Sequence, residues 1–158
     1  MICYVLDPDL SFAVSLVSRF QSNPGKAHWV AVKRILRYIK STKSHKMTYS
    51  GKHLKVIGYS NSNFSGNTND RKCTSGYVFL LGGGAISWCR KKQSCVAKST
   101  MKAKYIACRS AILEAVWIKG FLKSLNIKEI PDEPIKVMCD NQAAICTIKS
   151  GELFFLKA

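Results

Sequence analysis

The sequence predicts an α/β domain built on a mixed sheet, with two helices ahead of it. Three observations lead there. The chain has 158 residues, enough for one domain with a real core, and 47% of them are apolar, an ordinary globular share. Three short strand-like runs between residues 54 and 89 are joined by brief connections, the mark of an antiparallel meander. A long helical pattern, a fourth strand-like run and another helix follow, so the order β-β-β-α-β-α calls for both strand directions in one sheet.

The elements are justified in turn. Asp9 is a favourable N-cap with Pro8 before it, and Leu10, Ala13, Leu16, Val17 and Phe20 recur at helical spacing. Asn23-Pro24-Gly25 ends that helix, and a second runs over residues 27–39 with Trp29, Val32, Leu36 and Ile39 on one face. Two helices alone make a poor core. Residues 46–50 are short and β-like, 54–60 (LKVIGYS) read as a strand, and 61–72, rich in Asn, Ser and Gly, read as a loop. Residues 76–81 (GYVFLL) and 85–89 (AISWC) are two further strands around the turn Gly82-Gly83-Gly84. Ser99 or Thr100 caps a long helix to about residue 125, whose apolar positions include Ile106, Leu113, Trp117 and Phe121, in step with Ser110. After a loop at 130–134, residues 135–139 (IKVMC) form a fourth strand, and Asp140 is placed to cap a helix over 141–149.

The charge balance is unusual. Lys and Arg number 25 against nine acids, a net charge of +16. Such an excess resists compaction and suits a polyanion, nucleic acid first. No basic amphipathic helix of the interfacial type stands out, and no apolar run approaches the ~20 residues that span a bilayer, so no membrane role is expected. Without a secretory signal, the expected location is intracellular, cytoplasm or nucleus. The seven cysteines, at 3, 73, 89, 95, 108, 139 and 146, include no CxxC pair and mostly sit in apolar runs, which suggests buried thiols in a reducing compartment. His28, His45 and His53 lack zinc-ligand spacing.

Four words carry more information than any of these patterns: GYSNSNFSGN (58–67), DRKCTSGYVFLLGGGAISW (70–88), KKQSCVAKSTMKAKYIA (91–107) and CDNQAAI (139–145). In this order they resemble the ribonuclease H domain of copia-type retrotransposon Pol polyproteins. The stretch DPDLSFAVSLVSRFQSNPGKAHWVAVKRILRYIKST (7–42) resembles the connection between reverse transcriptase and that domain. The resemblance covers roughly residues 1–149. It implies a reverse transcriptase tail at 1–45, a ribonuclease H-like domain at 46–149 that lacks the family's last strand and helix, and a divergent tail at 150–158.

The family hydrolyses the RNA strand of RNA·DNA hybrids with two Mg²⁺ ions, which need clustered anionic oxygens. Carried over position by position, the first-strand acid falls on Asn61, the helix acid on Lys104 and the fourth-strand acid on Asp140. The family's last acid lies beyond the point where this chain diverges. Only Asp140 keeps a carboxylate, and Lys104 cancels it, so no metal is expected to be held and catalysis is expected to fail. Relative to the family words, Asn61, Asn63 and Asn67 stand for Asp, and Lys102 and Lys104 for Glu. Each of these changes needs one G-to-A transition, which suggests deamination damage in a silenced element. Transversions at those codons, seen against an intact sister copy, would remove that explanation.

Other readings stay beside this one. Asp140 is either a remnant metal ligand or the cap of the helix after it. Asp70 and Glu114 are poor substitutes as ligands, since Asp70 belongs to the loop word DRK and Glu114 lies almost three turns past Lys104. Arg90, Lys91 and Lys92, next to Trp88, either touch a nucleic-acid backbone or form a solvated turn, and Lys98, Lys102 and Lys104 add charge near the altered site. Gly82–Gly84 joins two strands rather than opening a helix, so a hairpin turn fits better than a phosphate loop. Trp29, Trp88 and Trp117 read as core. Three functions follow: an inactive ribonuclease H-like fragment that binds hybrids or other nucleic acid nonspecifically, an active hybrid ribonuclease completed by another chain, or a non-enzymatic interaction module or translated relic.

Overall fold

The computed structural model describes residues 8–46, 49, 54–64, 71–126, 131 and 133–150. The chain divides into two compact units, residues 1–48 and 49–158.

The first unit is a pair of helices, α1 (Pro8–Val17) and α2 (Lys26–Thr42), joined through a 3₁₀ turn at Ser18–Phe20. Pro8 is the first helical residue, where its missing N–H is harmless and its fixed φ suits the helix. Asp9 therefore lies inside the first turn rather than capping it. At the start of α2 the Gly25 N–H donates to His28 Nδ1 at 2.9 Å, and the same imidazole stacks on Phe20 with centroids 4.1 Å apart. Only Leu10 and Ser11 are buried among the described residues of this unit, and α2 buries none. Trp29, expected in the core, is 58% exposed, because among the described residues of this unit two helices supply no third layer over their outer faces.

The second unit is the mixed α/β domain. Its strands are β1 (Ile57–Asn63), β2 (Thr74–Leu81), β3 (Gly84–Lys92) and β4 (Lys136–Met138), and its helices are α3 (Thr100–Ser124) and α4 (Gln142–Lys149). The sheet order is β3-β2-β1-β4, with β1, β2 and β3 antiparallel and β4 parallel to β1. The predicted class and element order hold. Several boundaries move. β1 begins later than expected and runs on through Asn63, so Asn61 is a strand residue and not the start of a loop. Gly58, Ser60 and Ser62 point inward, and their small or polar side chains hide a strand signal that depends on bulky alternation. β3 extends to Lys92, so Arg90, Lys91 and Lys92 belong to a ladder and not to a turn. Gly82 and Gly83 both have positive φ (57° and 85°), which makes the connection a tight two-residue hairpin. Of the expected strand at 46–50, residues 46 and 49 are described and neither is in a strand, while 47, 48 and 50 lie outside the described residues, as do 65–70 of the loop at 61–72 and 130 and 132 of that at 130–134.

α3 lies across one face of the sheet. Its buried positions are Ala103, Ala107, Cys108, Ala111, Ala115 and Ile118, and the main core joins Val56 and Phe79 to Ala111, Ala115 and Ile118. This is not the face the sequence singled out. Leu113, Trp117 and Phe121 face outward, and Trp117 is 60% exposed with its ring stacked on Phe121. The alanine face wins because small side chains let the helix backbone approach the sheet closely. Beneath it, a Cβ on Gly58 would collide with the Phe79 ring, so glycine there is what admits the aromatic. Among the described residues, no helix is long and apolar enough to cross a membrane.

Candidate functional site

Three elements converge at one end of the sheet. Asn61 comes from β1, Lys104 from the first turns of α3, and Asp140 from the chain just past β4. α3 is aimed there by its cap: Ser99 Oγ accepts from the Lys102 N–H at 3.2 Å. The parallel pairing of β4 with β1, Tyr59 opposite Met138, carries Asp140 to the same edge as Asn61.

The Lys104 ammonium donates to Asn61 Oδ1 and to Asp140 Oδ2, each at 2.6 Å. The Lys104 side chain is largely covered at 16% exposure, while the Asp140 carboxylate remains 60% exposed. That hydrogen bond is the main reason the Asp140 carboxyl is held below the usual carboxylate range, with the lysine's charge adding to it against a desolvation cost. Asp140 does not cap the helix after it. Asn141 does, its Oδ1 accepting from the Ala144 N–H at 2.8 Å, because α4 starts at Gln142 and its cap must stand one residue before. With the capping role assigned elsewhere, the Asp140 side chain is held by the ion pair to Lys104 and by a hydrogen bond from its own backbone.

The donor set does not suit divalent metal. Mg²⁺ wants several hard, anionic oxygens. Here one carboxylate is available, its partner is a neutral amide, and both are already bound by a fixed cation. Among the described residues there is no cluster of three His, Cys, Asp or Glu side chains. Glu114 is no replacement, since it accepts from Ser87 Oγ at 2.7 Å on β3, about 15 Å further along α3 at ~1.5 Å per residue. Asp70 lies outside the described residues.

Lys98 and Lys102 sit at the same end of α3, on and just ahead of its first turn, while Arg90, Lys91 and Lys92 line the end of β3. Trp88 is half-buried in β3, two residues before Arg90. A residue that sequence reasoning missed holds this corner together. Gln93 is buried and donates from Nε2 to Ser75 Oγ (2.7 Å) and to the Ala103 carbonyl (3.0 Å), tying the sheet to the first turn of α3. Its Oε1 and the buried Ser62 Oγ have no partner among the described groups. The word KKQ gave no sign of this, because a glutamine after two lysines reads as one more solvated polar residue. One turn past Lys104, burial pushes the Cys108 thiol up, with Ser60 and Cys139 beside it. The six described cysteines carry free thiols.

This chain belongs to the retrovirus-related Pol polyproteins of transposons. It is 43% identical over 144 residues, 91% of its length, to the Retrovirus-related Pol polyprotein from transposon TNT 1-94 of Nicotiana tabacum, and 37% identical over 138 residues to that from transposon RE2 of Arabidopsis thaliana. It spans about a tenth of those polyproteins, 11% and 9% of their lengths. It is also 43% identical over 115 residues to the Secreted RxLR effector protein 161 of Plasmopara viticola, covering 81% of that shorter protein. No protein-family model matches the chain, and no solved structure matches it.

Proposed function

We propose that this chain is a degenerate ribonuclease H-like domain of a copia-type Pol polyprotein, catalytically dead and retaining nonspecific binding to nucleic acid. One observation carries the reading: the Lys104 ammonium bridges the two oxygens, from Asn61 and Asp140, that resemblance to the family assigns to metal. A cation held there repels a second cation and occupies its place. Scission of a phosphodiester by the family route then has neither an activated water nor a stabilised leaving oxygen. Binding survives because it needs only charge. With +16 net, phosphate contacts release counterions and favour association in low salt.

The test compares the chain with the double variant Asn61→Asp/Lys104→Glu. The chain as it stands leaves the RNA of a labelled RNA·DNA hybrid intact in Mg²⁺ or Mn²⁺, and its melting temperature does not respond to either ion. The double variant gains a metal-dependent rise in melting temperature. Hybrid cleavage by the unaltered chain, dependent on magnesium, overturns the proposal and favours an active ribonuclease.

A second reading has one observation behind it. The Plasmopara protein is matched over most of its length, so this segment also occurs as a short separate protein, which favours a non-enzymatic interaction module. A salt series separates the two. Nucleic-acid binding that falls steeply with salt supports the first reading, and no binding even at low salt supports the second.

A further inference from the structure

Among the described residues of the second unit, α3 packs on one face of the sheet. Phe79 in the core and Ser87 bonded to Glu114 mark that face, and Gly58 lies beneath the helix with them. Strand alternation sends the next residues to the other side. The pairing register then sets out three rows across the open face. Met138, Tyr59, Val78 and Trp88 form the first. Asn61, Gly76 and Arg90 form the second, and Asn63, Thr74 and Lys92 the third. Tyr59 is 45% exposed, Met138 is exposed beside it, and Trp88, Arg90 and Lys92 are each half-buried with part of the side chain at the surface. Two aromatic rings thus stand two strands apart, roughly 10 Å, with two cations in the rows alongside, each row displaced by roughly 7 Å. No acid occurs in any of the three rows, and Gly76, without a side chain, stands at the centre of the second.

We propose that this open sheet face binds single-stranded nucleic acid, with unpaired bases stacking on Tyr59 and Trp88 and the phosphate backbone passing Arg90 and Lys92. The proposal rests on the nucleic-acid reading above and specifies which form is bound and where. Stacking on aromatic rings needs bases that are not already stacked in a duplex, and a sheet presents such rings side by side. The composition of the face excludes the main rivals. Two of its three rows are polar or cationic, which suits no apolar helix. A second copy pairing through the same face would set Arg90 and Lys92 against their own like charges.

The test uses the full chain and two labelled probes, an oligo-dT single strand and an RNA·DNA hybrid, read by fluorescence anisotropy. Tyr59→Leu is expected to lower oligo-dT affinity by about tenfold or more, in line with the loss of one stacked base, and to change hybrid affinity less than about twofold. Tyr59→Trp restores single-strand binding. In a Trp29→Phe/Trp117→Phe background, oligo-dT quenches the remaining Trp88 fluorescence. Circular dichroism melts confirm that each variant is folded. Equal oligo-dT affinity for the wild type and Tyr59→Leu overturns the proposal, as does a wild type that binds the hybrid and not the single strand, or a self-associated form that shields Tyr59. In each of these outcomes binding of the hybrid by charge still stands, whereas a wild type that binds neither probe at low salt removes both readings.

Discussion

Lys104 shows how one side chain can tie together two strands of the sheet; in the proposed reading it also closes the metal site. Its ammonium takes the oxygens of Asn61 and Asp140, so the corner is hydrogen-bonded and locally neutral. The pair's pH dependence has a definite sign. The Asp140 carboxyl titrates lower in the folded chain than the ~3.9 of an unfolded one, so the contact adds stability above that value and loses it as pH falls through the lowered folded value. Because Asp140 is mostly solvated, the contribution is about half a kcal/mol or less. Melting temperatures measured downward from pH 5 are expected to fall slightly less for Asp140→Asn than for the unaltered chain; identical curves would show that the pair contributes nothing. The three residues could be picked out by their places in the motif words. The choice between Asp140 and Asn141 as cap could not, since both side chains cap well and only the starting residue of α4 decides between them.

At the scale of the element, α3 holds the main departure from expectation. Its sequence carries two stripes at steps of three and four, one through Leu113 and Trp117, the other through Ala107, Ala111 and Ala115. Helical periodicity marks both, and residue size points to the wrong one. The alanines lie on the sheet because Phe79 already fills the space between the layers, and a bulky helix face would overfill it. Gly58 belongs to the same arrangement. Gly58→Ala drives a methyl into the fully buried Phe79 ring, whose Cδ1 would lie 2.9 Å away, and is expected to destabilise the domain by ~1–3 kcal/mol in chemical denaturation. No loss of stability in that variant would mean that Phe79 can shift, against its complete burial.

At the scale of the whole molecule, charge and exposed apolar surface set its behaviour. The net charge of +16 favours polyanions, and the proposed nucleic-acid binding is expected to weaken as salt rises. Leu113, Val116, Trp117 and Phe121 form an exposed apolar stripe on α3 in which an added side chain at Gly120 would meet nothing. Such a stripe promotes self-association. Trp117→Lys is therefore expected to change unfolding free energy by less than about 0.5 kcal/mol and to reduce oligomers seen in sedimentation velocity. A large loss of stability would show that the ring is packed in solution.

The sequence alone determined the family, the order of elements and the three positions that meet around Lys104, because long motif words fix chain order and local chemistry together. Tertiary structure decided what local pattern cannot: which stripe of α3 is buried, that Arg90 and Lys92 stand on the strand of Trp88, two strands from Tyr59, and that one ammonium spans both Asn61 and Asp140. Those outcomes depend on register and on the volume left between layers, which are properties of residues far apart in the chain.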